Sequence, residues 1–388
     1  MTNMWADTWG AQRPEGGGRI GAKLGWLAMV GAVYALGTRI PLYGVNPEVG
    51  SAAMAGLGVD MSMRLSIFGL GLMPLFTPLA FLELAKLLIP RLARWQIASA
   101  RNMYRLNDYV RLAAFVTAAF QGYGIATAMM QVPGMVTDPG IGFVVATISS
   151  YVGSTALLAW LADRISLRGL GNGFWLLWIA PLVSTFSVGV MQLFELARIG
   201  ALVPVSLPIG AGLVLISAVA VVVANLVTVD QILVRNGHPP TPEVAWWARV
   251  ATQALIWPPV LANIVIGLII VPLHLLLPDG WIAPGWLSYG SLGHAFLFSV
   301  LILLFAHAYA RESPNWRRDI PDVFGSETGP KGLPAPFWAF GLIQVVVCAS
   351  WELWASLSPV MAAATGSNLI IVVIVALAFT RPWRLRLP

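Results

Sequence analysis

The residues able to do chemistry are few and scattered. The four histidines are His238, His274, His294 and His307. His294 and His307 fall in one apolar segment, 13 residues apart, which is about 220° around a helix and so on different faces. The chain contains no HExxH or HxxxH spacing and no carboxylate–histidine grouping, so no metal site is expected. The run Gly169-Leu170-Gly171-Asn172-Gly173 lacks the GxxxxGK[ST] spacing of a phosphate loop and follows no strand. It reads as a flexible opening to a helix. No Ser–His–Asp set can be assembled. Cys348 is the single cysteine, which excludes an intramolecular disulfide and any multi-cysteine metal site. No catalytic residue and no cofactor are expected.

Two carboxylates, Glu83 and Glu352, fall inside apolar segments. A carboxylate there is costly and is by default a functional hypothesis. Glu83 has Lys86 at i+3, close enough for the two to satisfy each other. Glu352 has no cation nearby in the chain, so it pairs across helices or lines a cavity. A proton relay wants several such groups along one route, and two separated carboxylates make a poor one.

What must position these residues is set by composition. Of 388 residues, 58% are hydrophobic and 10% charged, against roughly 25% charged in soluble domains. The mean hydropathy is +0.77. A soluble enzyme, a nucleic-acid module and a disordered scaffold are excluded together, and the chain reads as an integral membrane protein. Apolar segments run roughly over 20–37, 65–89, 109–131, 141–162, 173–194, 203–228, 249–276, 291–310, 337–357 and 365–380. Each is a continuous apolar run and not an alternating one, so the expectation is an all-α protein of ten spanning helices and not a barrel. The first segment is read as a mature span and not as a signal peptide.

The net charge of +6 is explained by topology and not by nucleic acid. With a cytoplasmic N-terminus, 20 of the 23 Lys and Arg fall on one side and only Arg39, Arg64 and Arg198 on the other. The positive-inside rule then places both termini in the cytoplasm. Pro74 interrupts the second segment and Pro258 the seventh, 184 residues apart. Five spans followed by five, with a break at the same place in each half, suggest an inverted repeat. The expected organisation is a cytoplasmic segment 1–18, five-helix halves 19–200 and 201–380, and a basic tail 381–388. Residues 38–64 are too polar and Gly-rich to span. They form either a re-entrant plug, tolerated where protein or water surrounds the backbone, or a plain loop.

Several stretches resemble the SecY family, the central subunit of the protein-conducting translocon. Arg64–Pro78, RLSIFGLGLMPLFTP, is similar to the family's second span, and Trp160–Gly173, WLADRISLRGLGNG, to the opening of its fifth. Gly37–Val45, GTRIPLYGV, resembles the motif after its first span. Weaker echoes are Ile256–Asn263 and Gly366–Val375. The resemblance implies two five-helix halves around an hourglass pore, a ring of apolar side chains at the waist, a plug within about 46–62, and a lateral gate open to lipid. The ring positions fall on Leu72, Phe76, Phe174, Trp178, Val260 and Ile371, and gate positions on Thr77, Gln121 and Asn263. It also implies a bacterial inner-membrane protein whose partners are membrane lipid, a translocating polypeptide and SecE-like and SecG-like subunits.

The departures are specific. Tyr43 stands where the family's motif has a second Pro, and Ala162-Asp163 where it has Gly-Glu. The cytoplasmic loops that dock the ribosome or the SecA motor in the family are short here, roughly 229–248 and 311–336. Arg235 is the first loop's one basic residue before Arg249, and Arg317-Arg318 is the one dense basic pair left. That weakens the expectation of motor docking and points to a divergent paralogue. The expected function is polypeptide translocation or insertion. The alternatives are an insertase or assembly factor on the same fold, or a small-molecule secondary transporter.

Overall fold

The computed structural model describes residues 20–46, 48–49, 65–167, 173–200, 206–235, 256–276, 285–312, 336–357 and 365–384. Helices dominate. They are α1 (Ile20–Gly37), α2 (Met73–Leu88), α3 (Pro90–Ala98), α4 (Ala100–Met130), α5 (Ile141–Leu167) and α6 (Gly173–Arg198). There follow α7 (Ser206–Arg235), α8 (Trp257–Leu276), α9 (Leu292–Glu312), α10 (Pro336–Leu357) and α11 (Gly366–Arg384). Among the described residues each of the ten apolar segments carries one helix of at least 16 residues, and α3 is the extra one.

By length and composition alone, two stretches among the described residues suffice to cross a bilayer, Tyr104–Met130 and Ile141–Ser166. A third candidate is the pair Met73–Leu88 and Pro90–Gln96, bent by 113° at its break. In the other seven segments the described side chains cover apolar helical stretches of 10–17 residues, inside helices of 18 to 30 residues. The break between α2 and α3 has a plain cause. Pro90 has no N–H to continue the ladder, and the residue before a proline is driven out of the helical region.

The prolines that seemed to interrupt spans are placed differently from expectation. Pro74 is the second residue of α2 and Pro258 the second of α8. Both therefore sit in a first turn, where the missing N–H has no helical partner to lose. The interruption lies before Pro74, because residues 65–72 are turns and not helix.

The chain divides into two compact units, residues Met1–Leu82 with Trp95–Trp178, and Glu83–Arg94 with Ile179–Pro388. In the first, α4 packs along α5, and α1 also touches α5. Segment 40–46 is held on both sides by backbone hydrogen bonds. Leu42 donates to Leu65 (2.9 Å) and Ile67 to Ile40 (2.9 Å) on one side. Asn46 donates to Met135 (2.8 Å) and Thr137 to Gly44 (2.9 Å) on the other. Beneath this ladder Leu42, Val45, Leu65, Met129, Met135, Phe143 and Tyr151 form a buried apolar cluster. In the second unit, α8 packs on α9, α9 on α10, and α10 and α11 on each other and on α7. Thr365 caps α11, its hydroxyl accepting from the Asn368 N–H (3.2 Å).

Of the expected plug 46–62, only 46, 48 and 49 are described. Arg317, Arg318 and most of Gly169–Gly173 lie outside the described residues, as does the side chain of Arg235.

Candidate functional site

Four of the six ring positions fall in the first unit. Leu72 is buried at the foot of α2, its carbonyl accepting the N–H groups of Leu75 (3.0 Å) and Phe76 (2.9 Å). One turn on, Phe76 stacks on Trp178 of α6, with centroids 4.2 Å apart and planes at 21°. Trp178 lies nearly parallel to Phe174 as well, at 6.1 Å and 20°. Trp175 meets Phe174 edge-on at 5.1 Å. The structure thus brings Phe76, Phe174 and Trp178 into one aromatic cluster. Such a cluster offers area and dispersion but no ionic partner. Val260 and Ile371 are buried in the second unit, on α8 and α11.

What sets Trp178 and Phe174 in place is the start of α6. The Ser166 hydroxyl on α5 accepts the Gly173 N–H at 2.8 Å and donates to the Ala162 carbonyl at 3.1 Å. A Cβ on Gly173 would lie 2.0 Å from that carbonyl oxygen. Only glycine permits the approach, which accounts for the last residue of the GLGNG run.

The gate positions carry polar groups. The Thr77 hydroxyl bonds back to the Met73 carbonyl at 2.9 Å, as hydroxyls in apolar helices do. Gln121 is half-buried, and its Oε1 is buried without a hydrogen-bond partner among the described residues. In the second unit, Asn263 of α8 reaches Ser367 of α11 at 3.5 Å.

The two carboxylates of the apolar segments resolve in different ways. Glu83 pairs with Lys86, as the i+3 spacing predicts, and both are buried. Glu352 pairs with His294, from α10 to α9. This corrects the reading that no carboxylate and histidine are grouped: 58 residues separate them, and only the packing of α9 on α10 unites them. A second pair was not anticipated. Arg111 of α4 binds Asp163 of α5 at 2.8 Å. Among the described residues no group of three His, Cys, Asp or Glu could hold a metal ion.

Comparison with known proteins decides the family. Residues 66–322, more than half of the chain, match SecY. The chain belongs to the SecY family. Relatives similar to it include the protein translocase subunit SecY of Aquifex aeolicus, 32% identical over 193 residues, covering 45% of each chain. That of Escherichia coli K12 is 31% identical over 192 residues, covering 45% of this chain and 43% of the relative. That of Pseudomonas aeruginosa is 28% identical over 213 residues, covering 52% and 48%. The chain spans about half the length of the curated relatives it matches. The fold likeness extends further. A SecY structure in which the plug domain stabilises the closed channel overlays with a TM-score of 0.58 at 15% identity, covering 96% of this chain and 94% of that one. Sec61 in a canine ribosome-channel complex gives 0.59 at 14% with the same coverage. At such identities the likeness shows a SecY fold.

Proposed function

We propose that this protein is a protein-conducting channel of the bacterial inner membrane that passes polypeptides across the bilayer or into it, with no covalent chemistry of its own. The observation that carries the reading is the SecY match over residues 66–322, joined to an aromatic cluster at the positions the family's ring would occupy. On this reading ten spans form two inverted halves, 19–200 and 201–380, with both termini cytoplasmic. Leu72, Phe76, Phe174, Trp178, Val260 and Ile371 make the constriction. Thr77, Gln121 and Asn263 line the lateral gate. Segment 46–62 is the plug, and Arg235, Arg317 and Arg318 are what remains of the docking surface. SecE-like and SecG-like subunits are the partners to seek.

The physical logic is dewetting. A narrow apolar waist holds water poorly and resists ions, yet offers a passing chain no strong grip. Bulky Phe76 and Trp178 close more of the bore than aliphatic side chains would. The deciding experiment is photocross-linking from probes at Phe76 and Trp178 to a stalled nascent chain in membranes. Adducts at both positions are expected, and none from a control at Phe120, an exposed residue of α4. Probes that never touch a translocating chain would sink the channel reading.

A further inference from the structure

Two contacts near its ends define how α4 lies on α5. At one end a Cβ on Gly122 would lie 3.2 Å from Tyr151 Cδ2 and 3.3 Å from Ile148 Cα, so the backbones come close there. At the other, Arg111 Nη2 meets Asp163 Oδ2 at 2.8 Å. Between them lie Ala114 and Ala118 on α4 and Thr155 and Ala159 on α5, all buried. Arg111, Ala114, Ala118 and Gly122 recur at helical spacing and form one stripe. Small residues let helices approach, but they offer no ridge that stops one helix sliding along the other. A hydrogen bond between charged groups does, because it has a short length and a preferred direction.

Asp163 stands where register matters. Ala162, the residue before it, presents the carbonyl against which Gly173 packs. Ser166, within the same last turn of α5, accepts the Gly173 N–H at 2.8 Å and donates to that carbonyl at 3.1 Å. The start of α6 therefore sits wherever the end of α5 puts it. Phe174 follows Gly173 directly, and Trp178 comes one turn later. Trp178 in turn stacks on Phe76 at 4.2 Å. Arg164, next along α5, is exposed and lies over the Trp160 ring at 5.2 Å.

We propose that Arg111 and Asp163 are positioning residues for the aromatic cluster of the proposed waist. The pair fixes the end of α5 on α4, and the end of α5 carries the first turn of α6 with Phe174 and Trp178. The role is one of register more than of stability. A slide of α5 by one residue is about 1.5 Å. A gap of about 0.5–1 Å already forfeits a quarter to a half of a contact's attraction, so such a slide unstacks Trp178 from Phe76. An apolar pair of similar volume holds two helices together as firmly as an ion pair, but it imposes no direction. The consequence for ion leak rests on the channel reading above, whereas the placement of Trp178 does not.

The test places a fluorotryptophan at position 178 of the full chain in lipid nanodiscs and reads its fluorine resonance, which the ring current of Phe76 displaces. Phe76→Leu marks the unstacked signal. Asp163→Asn keeps the shape and loses the charge, and it should move the signal towards that mark. Arg111→Met combined with Asp163→Leu should melt near the wild type yet keep the moved signal, which a merely structural pair would not do. A signal unmoved by Asp163→Asn overturns the proposal, and so does one that returns in the double variant. Ion leak in planar bilayers separates this role from the channel reading. Trp178→Ala, which opens the waist outright, and Asp163→Asn should each raise leak by about fivefold or more, the lower end of couplings between linked sites. Leak from Trp178→Ala alone defeats the positioning role and leaves the channel standing. No leak from either variant, with the signal moved, upholds the positioning of Trp178 and defeats the channel reading of the waist.

Discussion

Phe76 and Trp178 illustrate how a side chain can be chosen for what it lacks. Their rings stack at 4.2 Å and present no charge, so what they contribute is bulk and packing. The polar chemistry of the first unit is placed elsewhere, in Arg111 and Asp163, 25% and 13% exposed. That pair joins α4 to α5, and removing Asp163 takes this partner from Arg111 where solvent reaches poorly. Asp163→Ala should cost about 1.5–3 kcal/mol, the range for hydrogen bonds to charged groups. Arg111→Met combined with Asp163→Leu should recover most of that loss, because two apolar groups need no partner. Reversible unfolding in mixed micelles measures both. Equal losses in the single and double variants would show that the pair does not hold the helices together. At this scale legibility followed sequence distance. Lys86 is visible from Glu83 because i+3 neighbours share a helix face. His294 is not visible from Glu352, nor Arg111 from Asp163, because their meeting depends on which helices pack.

At the scale of elements, helix existence was readable and helix limits were not. Continuous apolar runs marked where helices form, and each carries one among the described residues. Apolarity could not tell helix from turn over 65–72, since Leu65, Phe68 and Leu72 bury themselves equally well from turns. For the same reason Pro74 reads as an interruption when it marks a beginning. Contacts between elements rest on small residues. Gly173 and Gly153 make a discriminating pair, because both are helical glycines in one unit. Gly173→Ala drives a methyl into the Ala162 carbonyl and should destabilise by about 1–3 kcal/mol or more, as overpacking does. It should also shift Trp178 off Phe76, seen as a change in tryptophan emission. A Cβ on Gly153 meets nothing within 4 Å, so Gly153→Ala should be neutral or stabilise by up to about 1 kcal/mol through helix propensity. The two variants are compared in one thermal-melt assay. Similar losses would mean that glycine matters here for flexibility and not for close approach.

For the whole molecule, the distribution of charge makes the strongest claim, since 20 of 23 Lys and Arg fall on one side only if the number of spans between successive loops is as assigned. Helix length cannot supply this, because a helix long enough to cross a bilayer does not say from which side it enters. Cysteine chemistry can. Cys348 is the single cysteine and is buried, so Cys348→Ala alone gives a background free of thiols. Ala98, before the third apolar segment, and Ile199, after the fifth, are both exposed and are separated by three segments. An odd number of crossings puts them on opposite faces. Pro388, beyond the tenth segment, is separated from Ala98 by eight, an even number. In right-side-out vesicles an impermeant maleimide should therefore label Ile199→Cys and leave Ala98→Cys and Pro388→Cys untouched until the membrane is opened. Labelling of Ala98→Cys and Ile199→Cys from the same face would mean that one of α4, α5 and α6 does not cross. The inverted repeat would then fall, because five crossings per half is what turns the second half over relative to the first. Labelling of Pro388→Cys from outside would instead place the miscount in the second half, among α7 to α11, and leave the first half's assignment standing.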